Sequence, residues 1–350
     1  MERRRGRLIL IILVCLLSLL TVILCAGLFK LDARNRELST RIDQLEDELN
    51  TPVDIEALMA ESEGKELDNG EIYYSRETIK QKARDAVSLT ELMAMIFDDK
   101  AVYYDGDKYI YAPLSATLKR NDLELDRIIT DKETDLKGYS DSKGRVGIKG
   151  IDVSTWQGEI DWAAVKGDGV RFAFLRAGYR GYESGNLYED DTIRDNLEGA
   201  NENGIPVGVY FYSQAASTAE AVEEAEFVLD IISGYDVSWP IVFDMELENS
   251  DSSRTKNMPQ SLRTDIAIAF CDRIAAAGYT PMIYGNMRML LGDMDPERLG
   301  GYEKWLAQYF YRPRFPYEFG IWQYTSEGRV KGIDGYVDIN IAFRDYGSGQ

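Results

Sequence analysis

IVFDMELENS, residues 241–250, runs an apolar strand into two carboxylates one residue apart. Side chains on a strand alternate faces, so Asp244 and Glu246 point to one side while Phe243 and Met245 point to the other. Nothing local neutralises the pair, since the next basic residue along the chain is Arg254. Burying two like charges side by side is costly unless one takes a proton or both gain partners. The stretch therefore reads as a core strand whose end forms the wall of a site.

Similar apolar runs lie on both sides of it: 150–154 (GIDVS), 171–179 (RFAFLRAGY), 206–213 (PVGVYFYS), 281–286 (PMIYGN), 304–309 (KWLAQY), 320–325 (GIWQYT) and 337–340 (VDIN). With 240–246 they make eight. Between the early ones lie TIRDNLEGANENG, TAEAVEEAEFVLDIIS and SLRTDIAIAFCDRIAAAG, whose apolar positions recur at helical spacing. Strands alternating with helices predict an α/β fold, a TIM-like barrel of about five β/α units followed by three strands. The gaps before the last two strands, about ten residues, are near the minimum for a crossover. An open doubly wound sheet is the alternative arrangement of the same elements.

In such barrels reactive groups sit at the C-terminal ends of the strands. Asp152 lies near the end of the first strand, Asp244 and Glu246 at the end of the fourth, and Asp338 in the last, which must adjoin the first for the barrel to close. Four acids on one rim is the resulting geometric prediction. The same strand ends carry Tyr210, Tyr212, Tyr284, Asn286, Gln308, Trp322, Gln323 and Tyr324. Acids, amides and aromatics without a cationic lining suit a neutral carbohydrate better than a phosphate or nucleotide. A single Asp at a strand end reads as a cap and a single Tyr as core; the doublet is what sets this rim apart.

Composition narrows the chemistry further. The 350 residues carry a net charge of −20 and no histidine, so Ser-His-Asp or Cys-His catalysis and histidine-ligated zinc are excluded. The acidity argues against nucleic acid or an anionic membrane surface as a partner. GDG at 167–169 precedes a strand rather than a helix, so no phosphate loop is present and no cofactor is expected. Cys15, Cys25 and Cys271 do not suggest a disulfide framework.

The N-terminal third has its own organisation. Residues 1–7 contain four arginines, and residues 8–29 are uncharged over about the length that crosses a bilayer. The positive-inside rule keeps residues 1–7 cytoplasmic and sends the remainder outside the cell. A cleaved signal peptide has a shorter apolar core and a small-residue cleavage site, which Ala26-Gly27-Leu28 matches poorly. Residues 30–50 carry a heptad, with Leu31, Leu38 and Leu45 at d and Leu28, Asn35, Ile42 and Leu49 at a. A parallel homodimeric coiled coil and a single solvated stalk helix both satisfy that pattern. Residues 51–147 read as a juxtamembrane α+β region and linker, with a helix over Ser75–Phe97 and a hairpin turning at Asp105-Gly106. Residues 345–350 form a tail.

Taken together, GIDVSTWQGEIDW, GVYFYS, FDME, IYGN, WLAQY, IWQYT and VDIN resemble the glycoside hydrolase family 25 muramidases, over about residues 148–344. The resemblance implies cleavage of the β-1,4 bond between N-acetylmuramic acid and N-acetylglucosamine in peptidoglycan. It implies that Glu246 is the general acid, that Asp244 assists beside the reacting sugar, and that Asp152 and Asp338 are the other cleft acids. Tyr210, Tyr284, Gln323 and Trp322 would line the sugar site, with Asn286 and Tyr212 beside them. Asp244 could act as nucleophile, as base for water, or by positioning the sugar's own acetamido group. Other readings are a chitinase, whose longer signature would need an acid where Val242 stands, a metal-dependent hydrolase, and a wall-binding tether that grips glycan without cutting.

Overall fold

The computed structural model describes residues 99–347 except Asn249, residues 89–97, and the separate positions Lys30, Arg34, Leu38, Ile79, Lys80, Ala83, Arg84 and Ala86. The apolar run 8–29 and most of the heptad segment lie outside the described residues. Among those described, no helix is long and apolar enough to cross a membrane. The chain divides into two units, Met1–Asp98 and Asp99–Gln350. In the first, α1 spans Leu89–Ile96. The expected helix over Ser75–Phe97 is not continuous, because Ile79, Lys80, Ala83 and Arg84 are helical but Ala86 is not. The sequence there, Ala86-Val87-Ser88, includes two weaker helix formers.

The second unit opens with the hairpin β1 (Lys100–Tyr104) and β2 (Tyr109–Pro113), antiparallel with Tyr104 opposite Tyr109. Asp105 closes the turn by accepting the N–H groups of Asp107 and Lys108, both at 2.9 Å, and Gly106 supplies a φ of +102°. A second hairpin joins β3 (Ile128–Thr130) to β4 (Lys137–Tyr139). This segment is strapped to the domain that follows it. Ser115 N–H donates to Tyr317 Oη at 2.7 Å, and the Tyr139 ring meets Phe343 edge-on at 4.9 Å.

That domain is a closed eight-stranded barrel. Its strands are β5 (Ile148–Val153), β6 (Phe172–Arg180), β8 (Val207–Tyr212), β9 (Ile241–Asp244), β10 (Pro281–Asn286), β11 (Glu303–Ala307), β12 (Ile321–Gly328) and β13 (Val337–Ala342); β7 (Leu187–Glu189) pairs antiparallel with the outer end of β6. Pairing of β5 with both β6 and β13 closes the ring, which rules out the open sheet. Seven barrel strands are parallel, but β13 is antiparallel to both neighbours. Asp338 therefore reaches the functional rim from the N-terminal end of its strand, not the C-terminal end.

Helices α2 (Trp162–Gly167), α3 (Ile193–Glu202), α4 (Thr218–Ile232) and α5 (Gln260–Ala276) follow the first four barrel strands. After the fifth, Met289–Asp293 forms only a single π-helical turn, so there are four full β/α units where five were expected. Asp161 and Ser217 cap α2 and α4 through the N–H groups of Ala164 and Glu220. Strand alternation builds two cores. Ile151, Leu175, Val209, Phe243 and Ile283 face the helices, whereas Phe172, Phe174, Val242, Met282 and Trp305 fill the barrel. The inner rings stack, Phe172 on Trp239 at 4.0 Å and Phe174 on Trp305 at 4.6 Å. Gly208 makes room for this filling, since a Cβ there would lie 2.3 Å from the Phe174 ring and 2.5 Å from the Pro240 carbonyl.

Candidate active site

Above the aromatic plug the barrel opens into a cavity of about 260 Å³. Asp152, Asp244, Glu246 and Asp338 all line it, as do Tyr210, Tyr212, Tyr284 and Gln323. Eight of the ten residues expected at the site thus converge from six strands and one strand end.

A hydrogen-bonded network fixes the floor. Asn340 Nδ2 and Gln323 Nε2 both donate to Asp152 Oδ2, at 2.7 and 2.9 Å. Trp305 Nε1 donates to Asn340 Oδ1 at 2.7 Å, while the hydroxyls of Tyr284 and Tyr309 donate to Gln323 Oε1 at 2.8 and 2.9 Å. Each amide is held in one orientation by donors on one side and a carboxylate on the other.

The acids differ in setting. Asp244 is buried, and its Oδ1 has no hydrogen-bond partner among the described residues. Glu246, just past the end of β9, is open to solvent. Burial, then the charges of Glu246 and Asp152, push Asp244 well above the usual carboxylate range, with Arg176 pulling the other way. Burial and the Asp338 charge raise Asp152 against the two amide hydrogen bonds. Crowding by protein, Glu248 and Asp338 raise Glu246, and burial lifts Asp338 to about 6. Carboxylates sharing one site oppose each other's ionisation, so this cluster gives up its protons at higher pH than isolated carboxyl groups do. A carboxyl group raised in this way is suited to serve as a general acid.

Two expected residues lie elsewhere. Trp322 is fully buried on the outer face of β12, where its Nε1 donates to the Gln308 carbonyl at 2.7 Å and Lys137 sits over its ring. Its neighbour Gln323 faces inward, so alternation forces Trp322 outward. Asn286 ends β10 and turns to accept the Met289 N–H at 2.9 Å, lining an adjacent cavity that shares Glu246 and Tyr284 with the acid pocket. Gln308 likewise turns aside, accepting the Arg314 N–H.

Three lining residues were not expected. Trp305 is the register partner of Tyr284 and so shares its inward face. Tyr309 follows the same strand. Arg176 overturns the expectation of a lining without cations, although its Nε donates to buried Asp190 at 2.7 Å. The alternation Phe172, Phe174, Arg176 on β6 carries the signal for its inward position. Among the described residues no group of three or more His, Cys, Asp or Glu is arranged to hold a metal ion.

A β/α barrel with an acid-lined, aromatic-walled mouth has the groups that carboxylate-based cleavage of a glycosidic bond requires. The chain belongs to the glycosyl hydrolases family 25, whose model matches residues 151–333, just over half of the chain. It is 27% identical over 194 residues to the autolytic lysozyme of Clostridium acetobutylicum, covering 55% of each protein. It is 28% identical over 204 residues to lysozyme M1 of Streptomyces globisporus, covering 55% of this chain and 67% of that one. Among solved structures it resembles the modular autolysin LytC of Streptococcus pneumoniae in complex with a synthetic peptidoglycan ligand. That likeness has a TM-score of 0.51 and 25% identity, and covers 61% of this chain and 51% of LytC. The chain thus spans about half the length of the clostridial lysozyme and of LytC.

Proposed function

We propose that this protein is a membrane-anchored muramidase that hydrolyses the β-1,4 bond between N-acetylmuramic acid and N-acetylglucosamine in peptidoglycan glycan strands. The observation that carries the reading is the convergence of four carboxyl groups on one aromatic-lined barrel mouth in a chain of family 25. Glu246, accessible and with its proton held by its neighbours, protonates the glycosidic oxygen as the bond to the anomeric carbon breaks. Asp244 lies deeper, and its unpartnered Oδ1 accepts the N–H of the sugar's 2-acetamido group. The acetamido carbonyl oxygen then attacks the anomeric carbon, and water opens the resulting ring with Glu246 acting as base. Asp338, whose carboxyl titrates at about 6, supplies negative charge near neutrality where the oxocarbenium-like transition state builds positive charge, and Asp152, raised by burial and that charge, orients the amides of Asn340 and Gln323 on the floor. Tyr210, Tyr212, Tyr284 and Gln323 hold the sugars.

The apolar run 8–29 and the arginines before it support an N-terminal membrane anchor, with the barrel outside the cell and the heptad segment 30–50 as a stalk that pairs two copies in parallel. Tethering confines cleavage to nearby wall. Digestion of purified peptidoglycan, followed by borohydride reduction and mass spectrometry, tests the bond assignment. Reduced muramic acid ends are expected; reduced glucosamine ends would place the cut at the opposite bond.

A further inference from the structure

Strand β6 runs beyond the barrel rim, and its pairing with β8 slips by one residue between Arg176 and Gly178. Arg176 lies opposite Tyr210, and both line the acid pocket. In a regular strand Tyr179, three residues on, would point to the opposite face from Arg176. The bulge cancels that inversion. Tyr179 becomes the register partner of Tyr212, which also lines the pocket, and Tyr188 on β7 is in turn the partner of Tyr179. One row of three tyrosines therefore crosses β8, β6 and β7, starting inside the pocket and ending about 10 Å further out, two strand spacings away.

The row is rigid. Tyr179 and Tyr188 stack with ring centroids 5.1 Å apart and planes 21° apart, and the Arg176 guanidinium lies 5.6 Å from the Tyr179 ring. Close approach of β7 requires Gly178, because a Cβ there would sit 2.2 Å from the Tyr188 carbonyl oxygen. The loop between β6 and β7 is pinned by buried Arg180, which donates to the Gly185 carbonyl at 2.6 Å and to Glu224 at 2.7 Å. Yet Tyr188 is 40% exposed. A fixed, uncharged, half-exposed aromatic face that continues the wall of an acid-lined cleft suits the C–H face of a sugar ring, the cation position over Tyr179 being already filled by Arg176.

We propose that the Tyr179–Tyr188 ledge is a distal subsite of the cleft, binding sugars of the glycan strand beyond the pair flanking Glu246. This rests on the reading of the cleft as a glycan site and extends it to the length of strand the protein prefers.

The test is isothermal titration of the 350-residue Glu246→Gln protein with peptide-free glycan of alternating N-acetylglucosamine and N-acetylmuramic acid, as the disaccharide and as the octasaccharide. Adding Tyr188→Ala is expected to lower the octasaccharide-to-disaccharide affinity ratio roughly 2- to 10-fold, the size of one aromatic contact. Tyr188→Phe, which keeps the ring, should preserve that ratio and shows that the alanine effect is not misfolding. An unchanged ratio in Tyr188→Ala, an equal loss with Phe, or no glycan binding at either length would overturn the ledge. Failure of the hydrolase reading has a separate signature: no new reducing ends from the wild type while length-dependent binding persists.

Discussion

Asp152 on β5 and Asp338 on β13 are register partners across the antiparallel seam that closes the barrel. The strand pairing that completes the fold thus also sets two carboxyl groups side by side at the mouth, so part of the fold's closure opposes their ionisation. Burial lifts Asp338 to about 6 from an ordinary 3.8, and the Asp338 charge adds to the burial that raises Asp152.

A group with a raised carboxyl pKa binds more protons folded than unfolded, so stability falls as pH rises through the window between the two values. For Asp338 that window runs from about 4 to about 6. Asp338→Asn should stabilise the protein at neutral pH by on the order of 2 kcal/mol and flatten the dependence. Urea unfolding at pH 4 and pH 7 checks this; an unaltered difference between wild type and variant would contradict the raised Asp338 carboxyl.

Glu248 sits outside the acid pocket, where its Oε1 accepts the Tyr212 hydroxyl at 2.5 Å, and its charge raises Glu246. If Glu246 must be protonated to act, activity is lost as pH rises through its pKa. Glu248→Gln lowers that pKa, so the alkaline limb of the pH–rate profile should move to lower pH. A shift in the opposite direction would mean that the alkaline limb belongs to another group.

Asn340 joins Trp305 to Asp152 at full burial. Asn340→Leu fills the space but strands a buried indole N–H and removes a donor from a buried carboxyl group. The expected cost is about 2 to 5 kcal/mol of unfolding free energy. Trp305→Phe combined with Asn340→Leu should cost less than the sum of the singles, which a double-mutant cycle reads directly.

Trp322 and Tyr284 separate the core from the cleft. Trp322→Phe removes the bond to the Gln308 carbonyl and part of a fully buried ring, and should cost about 2 to 4 kcal/mol of stability without altering the affinity for glycan. Tyr284→Phe removes the hydroxyl that orients Gln323 and should weaken glycan binding. The reverse pattern in a titration would return Trp322 to the sugar site.

The barrel was legible because its strands are short apolar runs separated by helical or turn-rich segments, and the acid doublet marks which end of them matters. The direction of β13 was not, although the segment before it, SEGRVKGIDGY, is short and glycine-rich, as an antiparallel return requires. Alternation alone would have placed Trp322 outside and Trp305 and Arg176 inside. Family resemblance at IWQYT outweighed it for Trp322, a reminder that neighbouring residues on a strand face opposite environments. Asn286 obeys alternation in sequence yet leaves the cleft to accept an N–H from the turn after β10, a competition that strand periodicity does not register. The pairing of Arg176 with Asp190, and the bulge beyond it, depend on register between strands and appear only in three dimensions.

If Glu246 supplies the proton that breaks the glycan, its amide cannot replace it. The most direct measurement is release of soluble muropeptides from purified peptidoglycan by the 350-residue chain, wild type beside Glu246→Gln, with sedimentation of each protein with the wall as the control for binding. Cleavage by the wild type, no measurable cleavage by the variant, and equal sedimentation of both are expected. Cleavage by Glu246→Gln at the wild-type rate would contradict that role for Glu246, and so would a wild type that binds the wall without cutting it.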